Sequence, residues 1–288
     1  MSKKIIIDGN NVCHIVNHSM GHLSNDERST GVIFGFMKQL LHLSNKFQTN
    51  DFIFCWDSRK SLRKNIYPEY KSNRKKENIT PEEETHKQNL FDQISELRRT
   101  ILPALGFNNN FIKTGYEADD LIAYIVLNNF HEEFTIVSTD QDLYQVLSDN
   151  VRIYNTITKS YFTKQDFEDK FQLHPTHFKE MKAISGCTSD WIKGINGIGE
   201  ATAAKYIRND KVSSKLIDKI HENGDIIERN RILTYLPFSQ GKGHMVDLGI
   251  KLKKNQLKLS KFKNLFNQMA FTSFLKDMSG WERNFIKC

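Results

Sequence analysis

Three apolar runs in this chain end in an aspartate. Ile5-Ile6-Ile7 meets Asp8, Phe54-Cys55-Trp56 meets Asp57, and Ile136-Val137 leads through Ser138-Thr139 to Asp140. A short apolar run bounded by turn residues reads as a buried strand. In an open α/β sheet, parallel strands present their carboxyl ends along one edge, where ligands bind. Three remote aspartates therefore converge. Glu117, Asp119 and Asp120 follow Gly115 at the start of a predicted helix, and Asp142 lies two residues beyond Asp140, so further carboxylates are aimed at that edge. Each aspartate taken singly reads as a turn or helix cap; the whole set does not. Crowded carboxylates repel one another, which raises their pKa values and costs stability unless cations are bound. Oxygen ligands without a clustered Cys or His favour hard ions such as Mg²⁺ or Mn²⁺ over Zn²⁺. Two such ions roughly 4 Å apart suit phosphodiester hydrolysis, because they lower the pKa of an attacking water and stabilise the leaving oxygen.

The hydrophobic pattern supplies the elements that must position these groups. Strands are expected at 4–7, 51–56, 110–114, 134–137 and 151–154, the first followed by a turn at Asp8-Gly9-Asn10-Asn11. Val32, Phe36, Leu40 and Leu43 give residues 29–47 a helical spacing, as do Ala118, Leu121, Ile122 and Ile125 in 117–128. Thr80-Pro81-Glu82-Glu83 supplies an N-cap, a first-turn proline and acidic residues for a helix running towards Leu102. Strands alternating with helices predict an α/β fold with a mostly parallel central sheet flanked by helices. From about residue 162 the pattern changes to short helices broken by glycines, with one further strand pair suggested at 245–250. A boundary is placed at 163, separating an α/β core, 1–163, from a mainly helical region, 164–288.

A chain of 288 residues, 39% hydrophobic, can bury a sizeable core. No stretch approaches the roughly 20 consecutive apolar residues of a membrane span, so no membrane partner and a cytoplasmic location are expected. Cys13, Cys55, Cys187 and Cys288 form no C-x-x-C pair, which suggests neither a zinc site nor a disulfide framework. The formal charge of +7 favours an anionic partner. Its distribution is more telling, because Arg59, Lys60, Arg63, Lys64, Lys71, Arg74, Lys75 and Lys76 are opposed only by Glu69, and Lys251, Lys253, Lys254, Lys258, Lys261 and Lys263 by no acid inside their block. Solvated helix faces are the alternative reading of both. His14, His18 and His22 recur at spacing four without a carboxylate or cysteine partner, which favours surface or packing roles. Trp56 is expected in the core; Trp191 either stacks on nucleic acid or packs beneath the glycine-rich turn that follows it.

At this point a resemblance becomes specific. Ile7-Asp8-Gly9-Asn10-Asn11, Trp56-Asp57, Tyr70-Lys71-Ser72-Asn73-Arg74, Glu117-Ala118-Asp119-Asp120, Ser138-Thr139-Asp140-Gln141-Asp142 and Gly194-Ile195-Asn196-Gly197-Ile198-Gly199 occur in the order found in the 5′-3′ exonuclease and flap endonuclease family. The likeness covers roughly residues 4–210 and is greatest to bacterial and bacteriophage members. It implies a magnesium-dependent nuclease with a PIN-like core and DNA, branched or 5′-flapped, as substrate. It also implies a monomer acting with a DNA polymerase as partner. Asp8, Asp57, Glu117, Asp119 and Asp120 would form a first metal site, and Asp140, Asp142 and Asp190 a second, filled by Mg²⁺ with Mn²⁺ able to substitute. Lys71 and Arg74 would contact the scissile phosphate as catalytic groups, and Tyr70 would stack on a terminal base. The basic segment 59–88, with Arg63, Lys64, Lys75 and Lys76, would be a helical arch guiding a single-stranded 5′ end. Residues 186–207 resemble a helix-hairpin-helix, whose Gly194, Gly197 and Gly199 let backbone amides approach phosphates. Lys205 would be a phosphate partner there, and K⁺ would sit in the turn on backbone carbonyls.

The chain departs from the family at one ligand. Where the family runs Gly-Asp-x-Ser-Asp, this sequence has Gly186-Cys187-Thr188-Ser189-Asp190, and a neutral thiol is a poor ligand for Mg²⁺. Three outcomes stay open: an active enzyme using Asp140, Asp142 and Asp190; a nuclease with altered metal or substrate preference; and a catalytically weak DNA-junction-binding relative. A ribonuclease acting on RNA·DNA hybrids or RNA is the rival activity.

Overall fold

Side-chain alternation along the first strand organises the protein. In the computed structural model, which describes residues 3–25, 28–74 and 79–287, β1 (Lys3–Asp8) sends Ile5 and Ile7 into one hydrophobic core and Ile6 into another on the opposite face. β4 (Phe52–Trp56) does the same with Phe52, Phe54 and Trp56 against Ile53 and Cys55. Between them lie α1 (Gly9–Met20), a short antiparallel pair β2 (Ser24–Asn25) and β3 (Arg28–Ser29), and α2 (Gly31–Phe47). After β4 come α3 (Arg63–Ile66), a 3-10 turn at Ser72–Arg74 and α4 (Pro81–Glu96), which runs through one π-helical turn, Leu97–Ile101, into α5 (Leu102–Leu105). β5 (Asn110–Ile112), α6 (Ala118–Asn128), β6 (Glu133–Val137), a 3-10 turn at Gln141–Val146, β7 (Val151–Asn155) and β8 (Ser160–Phe162) complete the sheet.

The strand order is β5-β4-β1-β6-β7-β8; all neighbours are parallel except the antiparallel edge strand β8. The chain winds outward from β1 to β4 and β5 on one side and from β6 to β7 on the other. At the β1/β6 junction the connections diverge, leaving a crevice at the carboxyl ends. Asp8 and the Ser138–Asp140 segment flank that crevice.

The expected turn after β1 is instead the first turn of α1, with Asp8 as its N-cap accepting from Asn11 N–H at 3.0 Å. Gly9 is required there, since a Cβ would lie 2.5 Å from the Trp56 ring. The start of α4 follows expectation. Thr80 Oγ1 accepts from Glu83 N–H at 3.2 Å and Glu83 Oε2 from Thr80 N–H at 3.0 Å, with Pro81 in the first turn.

The remaining helices are α7 (Lys164–Phe171), α8 (Phe178–Ser185), α9 (Glu200–Ile207), α10 (Ser214–Glu222), α11 (Gly224–Thr234), α12 (Leu259–Gln268), α13 (Thr272–Lys276) and α14 (Met278–Phe285). A two-stranded ribbon, β9 (Gly186–Cys187) and β10 (Ile192–Lys193), sits between α8 and α9. No strand forms at 245–250, which has neither helix nor strand pairing among the described residues. The boundary drawn at 163 does not separate two cores. Residues of α8, α9 and α11 share the core of Ile6 and α6, while Phe262, Phe266, Trp281 and Phe285 share that of Ile5 and α2. Among the described residues no helix is long and apolar enough to cross a membrane.

Trp281 is fully buried against the rings of Phe266, Phe274 and Phe285 at centroid distances of 4.7, 5.2 and 5.2 Å. Among the described residues its indole N–H has no hydrogen-bond partner. Trp281→Ala should therefore destabilise the whole chain by about 3–5 kcal/mol. Trp281→Phe, which also removes the unsatisfied donor, should cost much less. Urea unfolding checks this: equal losses for both variants, or an early partial transition confined to the C-terminal helices, would contradict it.

Candidate metal centre

Two asparagine side chains tie the three strand ends together. Asn10 Oδ1 accepts from Asp57 N–H at 3.0 Å, joining α1 to the end of β4. Asn11 bridges to the end of β6 by donating from Nδ2 to Thr139 Oγ1 at 2.8 Å and accepting from Thr139 N–H at 3.2 Å. Amides carry donor and acceptor on one planar group, so they cross-link without adding charge where charge is already crowded. Asp8 is held from both sides, by Asn11 N–H and by Ser138 Oγ–H at 3.0 Å. Asp57 accepts from Ala118 N–H at 2.8 Å, which fixes the start of α6 and with it Asp119. Asp140 caps the following 3-10 turn by accepting from Asp142 N–H at 2.8 Å.

The carboxylates fall into two electrostatic groups. Glu117 accepts from Tyr70 O–H and Lys71 Nζ, each at 2.8 Å. Asp190 accepts from Arg74 at 2.8 Å, and its Oδ2 also lies 2.9 Å from the Tyr70 hydroxyl oxygen. Burial alone would raise Glu117, but Lys71 and Arg63 outweigh it and hold this carboxyl below its ordinary value. On the other side, burial and then Asp57 push Asp8 up to about 7. Burial and then Asp140 and Asp8 carry Asp119 well above the carboxylate range, and burial with Asp140 pushes Asp142 up to about 6. Among the described residues, Asp8 and Asp119 have no ion-pair partner of the kind that Glu117 and Asp190 have in Lys71 and Arg74. Carboxylate oxygens are the donors a hard divalent ion prefers, but among the described residues no three of Asp8, Asp57, Asp119 and Asp140 bring theirs within 4.8 Å of one another.

Cys187 lies beside the other end of this edge. Its Sγ, a carboxylate oxygen of Asp142 and one of Asp190 all lie within 4.8 Å of one another, a spacing that could hold a cation. Burial and then Asp142 and Asp190 push the thiol up to about 11, so it is protonated and donates weakly towards Asp142 at 3.8 Å. Lys182, which the sequence did not single out, pairs with Asp142 at 3.6 Å and Glu200 at 2.9 Å. A lone lysine on an amphipathic helix carries no signal of such a role; only the return of α8 beneath the sheet edge brings it there.

Four expected contacts are placed differently. Asp120 is fully buried and faces away from the edge: Arg63 donates to both its oxygens at 2.7 Å, and the N–H groups of Phe238 and Glu117 donate at 2.8 and 3.0 Å. Arg63 is accordingly a buried partner of Asp120 and of Leu233 C=O, not a surface contact for DNA. Tyr70 is 1% exposed, with its ring packed among Cys187, Ile192 and Leu233, so no face is free for a terminal base. Gly194 is a glycine because a Cβ would lie 2.1 Å from the Ser185 backbone, not because a phosphate approaches.

Among the described residues no backbone or apolar group lies near the Cβ position of Gly197 or Gly199, and Gly199 caps α9. Lys205 is exposed on α9 and Lys64 on α3. Lys75 and Lys76 lie outside the described residues. Trp191, 42% exposed, stands on the surface beside Asp190 and does not pack beneath the hairpin. Trp56 is in the core. His14 and His18 lie on α1 and His22 beyond its end, with no acidic or thiol partner among the described residues.

Residues 3–172 match the family described as 5′-3′ exonuclease, N-terminal resolvase-like domain. A 5′-3′ exonuclease of Buchnera aphidicola subsp. Schizaphis graminum is 31% identical over 267 residues, spanning 87% of this chain and 89% of its own length. A DNA polymerase I of Mycobacterium tuberculosis is 31% identical over 228 residues, which are 72% of this chain and 24% of the polymerase. The bacteriophage T5 5′-exonuclease, solved with divalent metal ions (zinc) bound, shares the fold with a TM-score of 0.70 at 22% identity, covering 96% of this chain and 98% of that one.

A carboxyl whose pKa is higher folded than unfolded binds more protons in the folded state, so its contribution is present at low pH and is lost as pH rises. For Asp8 the window runs from 3.8 to about 7. In EDTA the thermal midpoint of the wild type should fall relative to that of Asp8→Asn across this window. Above it, Mg²⁺ should raise the wild-type midpoint more than the variant's. Parallel pH profiles for the two proteins would show that Asp8 is not a source of the strain.

Proposed function

The chain belongs to the 5′-3′ exonuclease family and is a 5′ nuclease, and we propose that it hydrolyses phosphodiesters of branched or 5′-ended DNA with two divalent ions, Mg²⁺ foremost. One observation carries this reading: Asp8, Asp119 and Asp140, their carboxyls raised first by burial and then by neighbouring carboxylates, stand at the sheet edge where Lys71 and Arg74 pair with Glu117 and Asp190. When bound there, such ions lower the pKa of water and offset charge building on the reacting phosphate. Asp8, Asp57, Glu117, Asp119 and Asp140 would hold the first. Asp142 and Asp190, with Asp140 shared, would hold the second.

Lys71 and Arg74 are the residues for the scissile phosphate. They neutralise Glu117 and Asp190; cations on those carboxylates would leave both groups available to phosphate oxygens. Lys71 is aimed inward by its left-handed backbone, φ 55°, with its N–H donating to Asp190 C=O at 2.8 Å. The open amides at Gly197 and Gly199 and the side chain of Lys205 would grip the duplex without reading sequence, and Lys64 would guide the 5′ strand electrostatically. A relative that is a DNA polymerase I supports action beside a polymerase.

Asp140→Asn should reduce cleavage of a 5′-flap duplex by at least about 100-fold while leaving binding in EDTA intact, since even indirect support of a metal ligand is worth 10–100-fold. Near-normal cleavage by this variant would overturn the metal assignment. Cys187→Asp should lower the Mg²⁺ concentration needed for half-maximal cleavage, because it adds an oxygen ligand beside Asp142 and Asp190. A titration showing an unchanged or raised requirement would count against a role for position 187 in the second site.

A further inference from the structure

The glycine turn between β10 and α9 already contains a cation. Lys219 Nζ donates to Asn196 C=O at 2.6 Å, and the same nitrogen lies 4.0 Å from where a Cβ would stand on Gly197. The ammonium therefore sits over the turn rather than beside it. We infer that Lys219 replaces the K⁺ ion expected in the helix-hairpin-helix, so that this chain holds its hairpin and meets duplex phosphate without a monovalent cation. The phosphate half of this inference rests on the nuclease reading above.

The placement of Lys219 is built, not incidental. Ile220, next to it on α10, is buried in the core that also takes Ile195 and Ile198 of the turn. Tyr206 of α9 hydrogen-bonds His221 of α10 at 3.2 Å, fixing the two helices to each other. From the other side, Asn230 of α11 donates to Ala183 C=O at 2.9 Å and Lys193 C=O at 3.0 Å, and Arg229 donates to Lys193 C=O at 2.9 Å, bracing the strand that leads into the turn. Lys219 thus reaches the turn from a fixed helix.

A K⁺ ion bound through the carbonyls of this turn would have to share it with the ammonium on Asn196 C=O, and like charge opposes that. An ammonium carries three N–H donors and no acceptor. One is used on Asn196, leaving donors for a phosphate oxygen approaching the open face at Gly197 and Gly199. A free ion contributes according to its concentration and affinity; a tethered one does so at any salt composition.

The test compares wild type with Lys219→Ala, binding a 5′-flap duplex in EDTA at matched ionic strength in KCl and in tetramethylammonium chloride, whose cation is too large for the turn. Wild-type affinity should be the same in both salts. Lys219→Ala should lose about tenfold in tetramethylammonium, the scale of one charge-assisted contact, and recover most of it in KCl. Tighter wild-type binding in KCl overturns the inference, as does a variant whose affinity responds equally to both salts. A second measurement needs no DNA. Amide exchange across 195–199 should be unaffected by K⁺ in the wild type, and in Lys219→Ala it should be faster and slowed by K⁺. K⁺-insensitive exchange in the variant would also overturn it. If the wild type fails to bind the flap duplex, the nuclease reading falls while the exchange measurement still decides the identity of the cation.

Discussion

Mutual repulsion among carboxylates at the ends of parallel strands is the constraint to which the rest of the protein answers. The strand order brings Asp8, Asp57 and Asp140 to one edge, and α6 adds Glu117 and Asp119. The neutral cross-links from Asn10 and Asn11 hold the strand ends at fixed separation without altering the charge. Fixed cations are unevenly placed: Lys71 and Arg74 meet Glu117 and Asp190, and Lys182 meets Asp142, while among the described residues Asp8 and Asp119 have no ion-pair partner. The imbalance defines where mobile cations belong.

The pair of Arg63 and Asp120 shows how the scaffold bears this. A bidentate ion pair with no exposed surface is costly to desolvate and is retained only when its remaining donors and acceptors are satisfied. Here they are, by Leu233 C=O and by the N–H groups of Phe238 and Glu117. The pair pins the base of the basic segment to α6 and to the chain leaving α11. Three stretches distant in sequence are thereby fixed around Glu117, and the left-handed turn at Lys71 is presented from a rigid base.

The five parallel strands were legible because buried parallel strands are continuous apolar runs, and the carboxylate edge followed from where those runs end; the antiparallel edge strand and the short ribbons were not. The start of α4 was legible because its capping box is local. What escaped the sequence was whatever depends on a partner far along the chain. Gly9-Asn10-Asn11 reads as a turn until Trp56 is seen packed on Gly9. Arg63 and Tyr70 sit in a basic, polar stretch that looks solvated, and only Asp120, Asp190 and Cys187 make their sites interior. Gly194 looks like a phosphate glycine until the Ser185 backbone is found against it. The docking of α12–α14 on the first core has no local signature, since aromatic residues spaced along amphipathic helices do not say which surface they will cover.

Tyr70 carries one hydroxyl hydrogen and faces two carboxylate oxygens, Glu117 Oε2 at 2.8 Å and Asp190 Oδ2 at 2.9 Å. It can donate to one of them at a time. Rotation of a single O–H bond thus moves a hydrogen bond from the α6 side of the edge to the ribbon that carries Cys187. Whichever carboxylate has the weaker positive company at that moment draws it. The buried phenol is a balance arm between the two halves of the edge, and a change of charge on either side is registered on the other without any displacement of the backbone.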